Sequence, residues 1–369
     1  MTMFSSFDHL MMARAISLAK KGVFTTHPNP NVGCVITSGN KIVGEGCHFK
    51  AGEPHAEVYA LRMAGDKARG ATAYVTLEPC SHYGRTPPCA KGLIDAGISQ
   101  VVCAMQDPNP QVSGRGIQML RDAGIDVRVG LLEADARHIN RAFLKKMESG
   151  RPWVQLKMAA SIDGQTALDN GESQWITSAE ARQDVQKFRA QAGAILSTSQ
   201  TVISDNASLN VRWSDLPSSV KESYPDHSVR QPVRVILDRQ HRLKPDMALF
   251  QSGGAALTAA ESEADVVVPL DSTGRLDLSK LMDALANDLH INHIWVEAGA
   301  TLASSMILSG MVDELVIYLA PKMMGSDGKG LFGTFGFTSM KDVIDLEFTD
   351  IRMVGKDLRV IAKPLYKLG

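Results

Sequence analysis

Apolar residues in the first 150 positions follow two alternating spacings, the three-to-four-residue period of amphipathic helices and the short apolar runs of buried strands. The helical spacing predicts five helices, over 8–20, 54–64, 90–96, 116–123 and 132–146. The apolar runs predict five strands, over 31–36, 41–47, 71–76, 100–104 and 126–129. Strands that alternate with helices of this length are typical of an α/β layer structure with largely parallel pairing.

A cluster of Gly, Pro and charged residues at 148–152 predicts a boundary between two domains, 1–149 and 152–369. Beyond it the alternation restarts, with a helix over 178–191 and a Ser- and Pro-rich surface loop over 214–231. The predicted strands of this half are 153–158, 194–197, 233–237, 264–268, 293–297 and 314–320, followed by antiparallel edge strands at 346–354 and 358–362. The second half therefore also predicts an α/β domain.

Composition and charge narrow the class of protein. Of the 369 residues, 44% are hydrophobic and 21% charged, which is typical of a soluble globular enzyme. No apolar run approaches the roughly 18 residues of a membrane span, and the N-terminus lacks the regions of a secretory signal, so we expect a cytoplasmic protein with no membrane partner. The chain has 17 basic and 13 acidic residues up to position 150, and 22 and 27 beyond it. Neither half has the basic excess that a nucleic-acid partner requires.

The cysteines are confined to the first half of the chain. An odd, sparse set of five in a chain without a leader is more typical of metal binding or catalysis than of a disulfide framework. Three of them lie within apolar strand patterns, which predicts core packing: Cys34, Cys47 and Cys103. The other two lie beside polar and proline residues.

Candidate chemistry concentrates in four residues of this half. His55 and Glu57 are separated by one residue, and Cys80 and Cys89 follow. One imidazole and two thiolates suit tetrahedral zinc with its fourth position open to water, and Glu57 is near enough to exchange protons with that water. The order matches the H-x-E and P-C-x-x-C signature of zinc deaminases, although eight residues separate the cysteines here instead of two.

Two further histidines leave alternatives open. His82 lies in the insertion between the cysteines, and as a fourth ligand it would close the site and favour a zinc-stabilised scaffold or binding protein without catalysis. His48 is interpreted as uninvolved. A second alternative is a tRNA-type deaminase acting on nucleic acid with an accessory binding domain, but the chain is only 6% aromatic and its second half is acidic.

The second half carries weaker signals. No G-x-G-x-x-G follows a strand, so a Rossmann nucleotide site is not predicted, and the glycine-rich segment 325–330 is interpreted as a turn. The segment 294–305 runs from a strand through small residues into a helix, where free backbone N–H groups can hold a phosphate. Ordinary strand–helix packing explains that pattern equally well.

The motifs Thr26–Gly33, His55–Glu57 and Glu78–Cys89 closely resemble those of the bifunctional riboflavin-biosynthesis deaminase–reductases, and the resemblance covers essentially the whole chain. It implies a cytidine-deaminase-like domain followed by a dihydrofolate-reductase-like domain. It also implies His55, Cys80 and Cys89 as zinc ligands, Glu57 as proton shuttle and Asn29 as a pyrimidine contact. The first reaction would remove an amino group from a diaminopyrimidinone that carries a phosphoribosylamino group.

The segments Lys157–Gly164, Glu172–Thr177 and Val202–Asn206 resemble the reductase motifs of the same family. The resemblance implies NADPH contacts at Ala159, Trp175, Thr201, Asp205, Gly299, Ala300, Thr301, Leu302, Ala303, Ser304 and Ser305. It implies substrate contacts at Lys157, Ser173, Arg189, Leu209, Arg212 and Glu297. The two arginines are suited to hold the substrate phosphate, although Arg189 is equally compatible with a solvated surface charge. Reduction of the ribose to a ribityl chain in a homo-oligomer is the expected second activity.

Overall fold

The computed structural model describes residues 4–82, 87–110, 112–224 and 229–367. The chain divides into two compact units, Met1–Arg151 and Pro152–Gly369. No helix of the described residues is both long enough and apolar enough to cross a membrane.

In the part of the first unit that the structure describes, five α-helices alternate with five strands. The helices are α1 (Ser6–Ala19), α2 (Ala56–Ala64), α3 (Cys89–Asp95), α4 (Arg115–Asp122) and α5 (Glu133–Ser149). The strands are β1 (Gly33–Ser38), β2 (Lys41–Cys47), β3 (Thr72–Val75), β4 (Gln100–Cys103) and β5 (Asp126–Val129). All ten predicted elements of this half are therefore present, with ends shifted by a few residues.

The five strands form one sheet in the order β2-β1-β3-β4-β5. Helices α2, α3 and α4 pack on one face of it, and α1 and α5 on the other, so the unit has three layers. The prediction of parallel pairing holds for β3, β4 and β5, whereas β1 pairs antiparallel with both β2 and β3. The short Gly39-Asn40 turn between β1 and β2 allows only antiparallel neighbours.

The described residues of the second unit form six α-helices and eleven strands. The helices are α6 (Ala179–Gln191), α7 (Ser199–Asp205), α8 (Ser218–Lys221), α9 (Ala248–Gln251), α10 (Leu278–Asn287) and α11 (Ala300–Leu308). The strands are β6 (Trp153–Ser161), β7 (Gln165–Ala167), β8 (Ala194–Thr198), β9 (Val233–Leu237), β10 (Ala256–Ala260), β11 (Val266–Val267), β12 (His293–Glu297), β13 (Glu314–Ala320), β14 (Lys329–Gly330), β15 (Asp345–Val354) and β16 (Asp357–Leu365).

Nine of these strands form one sheet in the order β11-β10-β9-β8-β12-β6-β13-β16-β15. The strands from β11 to β13 are parallel, and the last two are antiparallel, as predicted. Helices α10 and α11 cover one face, and α6 covers the other. On that second face the Trp295 ring is fully buried and stacks on Phe188, with ring centroids 4.8 Å apart.

The predicted surface loop over 214–231 is wrong in part. Its first half contains a single turn of 3-10 helix at Trp213–Asp215 and then α8, and the side chains of Val220 and Tyr224 are buried. Residues 225–228 lie outside the described residues. Outside this loop, the sequence analysis did not predict β7, α7, α9, β10, α10 and β14; of these, β10 belongs to the large sheet and α7, α9 and α10 to its helical cover.

We predict that residues 152–369, produced alone, fold cooperatively and melt at a temperature that a zinc chelator does not change. The reason is that this unit has its own buried core on both faces of its sheet and contains no cysteine. Thermal unfolding followed by circular dichroism, with and without chelator, is the measurement. The full chain is the control, since chelation should lower a transition of its first unit. A fragment without a cooperative transition would contradict two autonomous units.

Candidate active sites

Two cysteines and one histidine of the first unit converge on one point. His55 caps the N-terminus of α2, Cys80 follows β3, and Cys89 begins α3. The His55 Nδ1 atom lies 3.7 Å from the Cys80 sulfur and 3.3 Å from the Cys89 sulfur, and all three candidate ligand atoms lie within 4.8 Å of one another. These three residue types at this spacing fit a zinc ion with one open coordination position.

The position of His55 depends on close packing between α2 and β2. A Cβ atom added to Gly44 would lie 2.1 Å from the Ala60 carbonyl oxygen, and one added to Gly46 would lie 2.3 Å from that of Ala56. Only glycine on the strand and alanine on the helix permit this approach. The packing therefore fixes the helix end that carries the histidine.

The neighbouring groups of the cluster stabilise Cys80 as a thiolate even without a metal. Hydrogen bonds from the Cys89 and His55 side chains lower the pKa of Cys80 to about 4, although burial opposes the shift. The backbone N–H of Cys89 also donates to the Cys80 sulfur, at 3.2 Å. A preformed thiolate is the state that a zinc ion requires of this ligand.

Glu57 lies beside the cluster and is 3% exposed. Burial and the nearby Cys80 charge raise its pKa to about 7. Its Oε2 atom is buried and has no hydrogen-bond partner among the described residues, which is costly unless another group occupies the site. A water molecule on a metal held by the three neighbouring ligands fits this orphaned oxygen.

In the second unit, a cavity of about 640 Å³ opens along the carboxyl ends of the parallel strands. Eleven of the residues that the sequence analysis singled out line it: Lys157, Ala159, Ser173, Trp175, Arg189, Thr201, Asp205, Leu209, Arg212, Glu297 and Gly299. Thr301, Leu302 and Ser305 instead line a neighbouring cavity of about 830 Å³. Ala300, Ala303 and Ser304 line neither cavity. The side chains of Ala303 and Ser304 point from α11 into the protein, where both are buried.

Family comparisons agree with this geometry in both units. The model of the RibD C-terminal domain matches residues 152–360, and the model of the cytidine and deoxycytidylate deaminase zinc-binding region matches residues 5–105. The chain is 52% identical over 360 residues to the riboflavin biosynthesis protein RibD of Escherichia coli, covering 95% of this chain and 98% of that protein. The chain belongs to the RibD family.

Solved RibD structures share the whole fold. The Acinetobacter baumannii RibD structure superposes with a TM-score of 0.90 at 42% identity, covering 98% of this chain and 99% of that one. The structure of the Thermotoga maritima deaminase/reductase superposes with a TM-score of 0.84 at 32% identity, covering 97% of this chain and 99% of that one. The expected succession of a cytidine-deaminase-like and a reductase domain is confirmed.

As a RibD protein, the chain is a bifunctional enzyme, a zinc-dependent deaminase and an NADPH-dependent reductase. The alternative of a nucleic-acid deaminase with an accessory binding domain is wrong, because the second unit is a RibD reductase domain. The alternative of a zinc-stabilised scaffold or binding protein without catalysis is wrong for the same reason. The described part of the cluster holds three ligands, and the exposed His82 is not among them; residues 83–86 of the insertion lie outside the described residues.

His48, interpreted from sequence as uninvolved, lies in the wall of the RibD deaminase site. Its ring is 3% exposed and meets the His55 ring edge-on, with centroids 5.4 Å apart. Nδ1 of His48 donates to the Pro54 carbonyl oxygen at 3.1 Å, so in the neutral ring Nε2 accepts from the Asn29 amide at 3.2 Å. This bond uses the Asn29 amide nitrogen and leaves its oxygen free for another donor.

Glu78 has a positioning role that the sequence analysis did not assign. Its buried carboxylate accepts four backbone N–H groups, those of Asp107, Gly114, Gly116 and Ile117, at 2.9 to 3.2 Å. These bonds tie the segment before Cys80 to the start of α4. A carboxylate two residues before a cysteine gives no sequence signal of such a role, because its partners are backbone groups about 30 to 40 positions away.

Arg189 and Glu297 form a bidentate ion pair in the reductase cavity, with N–O distances of 2.6 and 2.9 Å and side chains only 11% and 13% exposed. Burial alone would raise the pKa of Glu297, but the charge and hydrogen bonds of Arg189, together with Lys157, lower it to about 2. The interpretation of Arg189 as a solvated charge is therefore wrong. Arg212, by contrast, is exposed and engages Asp215 through Nε alone, at 2.6 Å.

Proposed function

We propose that the first unit deaminates 2,5-diamino-6-(5-phosphoribosylamino)pyrimidin-4(3H)-one to 5-amino-6-(5-phosphoribosylamino)uracil and that the second unit reduces the ribosyl group of this product to ribityl. The name of the Thermotoga maritima relative states these two substrates for that protein. The observation that carries the proposal is the buried, unpartnered Glu57 oxygen beside the His55, Cys80 and Cys89 cluster.

In the deaminase, His55, Cys80 and Cys89 would hold zinc, which when bound makes water acidic enough to supply hydroxide near neutral pH. Glu57 accepts the proton of that water, delivers it to the ring nitrogen and then assists the departure of ammonia. A carboxyl group with a pKa of about 7 is suited to both roles, because it gains and loses a proton with similar ease at neutral pH. Asn29, held by His48, accepts a hydrogen bond from the pyrimidine.

Replacing Glu57 by Gln should leave about one zinc per chain while lowering the rate of ammonia release by at least ~100-fold, because the amide cannot carry the proton. Metal analysis and an ammonia assay are the measurements. Reduction of the deaminated intermediate by the same variant is the control and should be unchanged. Deamination at a near-normal rate would contradict the proton-shuttle role.

In the reductase, bound NADPH would supply the hydride that reduces the ribosyl carbon bonded to nitrogen, while the ring oxygen released from that carbon takes up a proton. Arg189 keeps Glu297 ionised, so this carboxylate accepts hydrogen bonds from the sugar hydroxyls without taking up their protons. Lys157 lies in the same wall, where burial lowers the pKa of its amine and the nearby Glu297 carboxylate opposes that shift. Ser173 and Leu209 complete the contacts, and Ala159, Trp175, Thr201 and Asp205 face the cofactor.

We propose Arg212 as the anchor of the substrate phosphate. Arg189 is unsuited to this role because all three of its guanidinium nitrogens are used, two by Glu297 and one by the Asn210 carbonyl oxygen. The terminal nitrogens of Arg212 have no partner among the described residues, and its side chain is 46% exposed on the cavity wall.

Arg212→Ala should raise the KM for the phosphorylated intermediate ~10- to 150-fold, as expected for one charge-assisted contact, and Arg212→Lys should recover part of the loss. Deamination is the internal control. Steady-state kinetics with phosphorylated and dephosphorylated intermediate provide the test. If Arg212→Ala discriminates between the two compounds as well as the unmodified chain does, another residue holds the phosphate.

We further propose that the chain forms a homo-oligomer through the edge strand β15. The pairing with β16 places four apolar residues of β15 on one face of the sheet. All four lie opposite alternate residues of β16, because a bulge after Phe348 shifts the register by one residue. These side chains are 40 to 62% exposed: Leu346, Phe348, Ile351 and Met353. An exposed edge strand with an apolar face favours pairing with a second copy of the same strand.

Phe348→Glu should therefore shift the sedimentation coefficient toward that of a monomer without lowering the melting temperature of the chain. Thr349→Glu, on the same strand, is the matched control and should leave the assembly intact. A chain that sediments as a monomer before any substitution would contradict the oligomer.

The cytoplasm is the proposed location, in keeping with five free cysteines, and cell fractionation tests it.

A further inference from the structure

The segment that carries Arg212 lacks regular structure, and side chains from other elements hold its backbone. It runs over residues 206–212, between α7 and the turn of 3-10 helix at Trp213–Asp215. Residues 208–211 make no hydrogen bond to other backbone groups among the described residues. Leu209 has a φ of +51°, in the left-handed region, which leucine adopts only where its surroundings impose it. The conformation of the segment therefore depends on the side chains that bond to it.

Four side chains of α6, of β9 and of the chain just before β9 make these bonds. Their partners are distributed along the segment: Arg234 bonds to Ser208 at 3.1 Å, Arg189 to Asn210 at 3.0 Å, Gln231 to Val211 twice at 2.8 and 2.9 Å, and Gln186 to Arg212 at 2.9 Å. All five bonds join a side chain to a backbone N–H or carbonyl group. The segment is thereby fixed to the large sheet and to its helical cover.

Gln186 is the side chain of this set that bonds to Arg212 itself. Of the five buried residues of α6, four are apolar and the fifth is Gln186, which is 1% exposed. Its side-chain oxygen accepts a hydrogen bond from the backbone N–H of Arg212. Burying an amide costs free energy unless it is hydrogen-bonded, and an apolar side chain of the same size would avoid that cost. The bond to Arg212 is therefore what the amide provides at this position.

Arg212 is held at its backbone and at its guanidinium group. Gln186 accepts from its N–H, its carbonyl oxygen accepts from the backbone N–H of Asp215 at 3.1 Å, and its Nε donates to the Asp215 carboxylate at 2.6 Å. The two terminal nitrogens remain available on the cavity wall. An arginine loses much rotamer freedom when it binds an anion, and these bonds lower that cost because they restrict the side chain beforehand.

We propose that Gln186 is a positioning residue of the reductase, which holds the backbone of Arg212 so that its guanidinium meets the substrate phosphate. This inference rests on the proposed role of Arg212 as the phosphate anchor. Gln186 acts on the phosphate through Arg212, so its contribution is smaller than that of the arginine and disappears when the arginine is removed. A compound without the phosphate does not use the anchor and is bound equally well with or without the Gln186 bond.

The test is a double-mutant cycle in the full chain, with reduction of the phosphorylated and dephosphorylated intermediate followed as NADPH oxidation. Gln186→Met keeps the length and helix propensity of the side chain but removes the acceptor. It should raise the KM for the phosphorylated intermediate ~2- to 10-fold and leave kcat and the KM for the dephosphorylated compound unchanged. In the Arg212→Ala background, Gln186→Met should cause no further rise, because the two residues act as one unit.

Gln183→Met is the matched control. Gln183 lies one turn earlier on α6, is exposed and lies outside the cavity, so its replacement should change none of these constants. Circular dichroism shows whether each variant folds. If Gln186→Met does not fold, Gln186→Ala is the second variant: it leaves room for a water molecule beside the Arg212 N–H, and the same rise in KM is expected.

The outcomes separate this inference from the proposed function. Equal rises in KM for both compounds, or a lower kcat alone, would show a general structural role and overturn the assignment. A further rise in the Arg212→Ala background would also overturn it, because Gln186 would then act independently of Arg212. An unchanged KM in Gln186→Met, where Arg212→Ala raises it, would refute the inference and leave the phosphate anchor in place. If Arg212→Ala itself has no effect, the proposed anchor fails and the inference with it.

Discussion

In both sheets, the ends of neighbouring strands lie side by side, and the candidate functional groups lie along these strand ends. In the first unit, β3 and β4 run parallel, while β1 enters the sheet beside the end of β3. Asn29 before β1, His48 after β2 and Cys80 after β3 therefore meet, although they are spread over about 50 positions. In the second unit, β6, β8, β9 and β12 end at the common edge that carries Glu297.

Charged groups at these edges are buried in two different ways, and the difference matches their chemistry. Glu297 is held ionised by a bidentate arginine, so its pKa is low and it serves as a fixed acceptor. Glu57 has no cation at contact distance, so burial beside a thiolate raises its pKa and makes it suitable for proton exchange. Two largely buried carboxylates thus acquire opposite properties from their neighbours.

The sequence identified what depends on short spacing. His55 and Glu57 share one helix end, and their separation, with Cys80 and Cys89 following in the expected order, indicated a metal site with an adjacent base. The predicted strands of the first unit also have nearly the observed bounds. What it missed depends on contacts over long separations. The involvement of His48 required the approach of Asn29 to its ring, and α10 escaped prediction even though its Asp277 cap and apolar face are both present.

The two arginines of the reductase cavity show that residue type alone does not determine the role of a side chain. Arg189 and Arg212 both occur in reductase motifs, and the sequence suited either one to a phosphate. The donors that each residue has left distinguish them. Arg189 uses all three of its guanidinium nitrogens on Glu297 and the Asn210 carbonyl oxygen, whereas Arg212 pairs with Asp215 through Nε alone and reaches the cavity with its terminal nitrogens unused. A guanidinium without a free donor stabilises the site, and only one whose donors remain free can bind an anionic ligand through paired hydrogen bonds. Distinguishing the two requires knowing which acceptor each arginine nitrogen contacts.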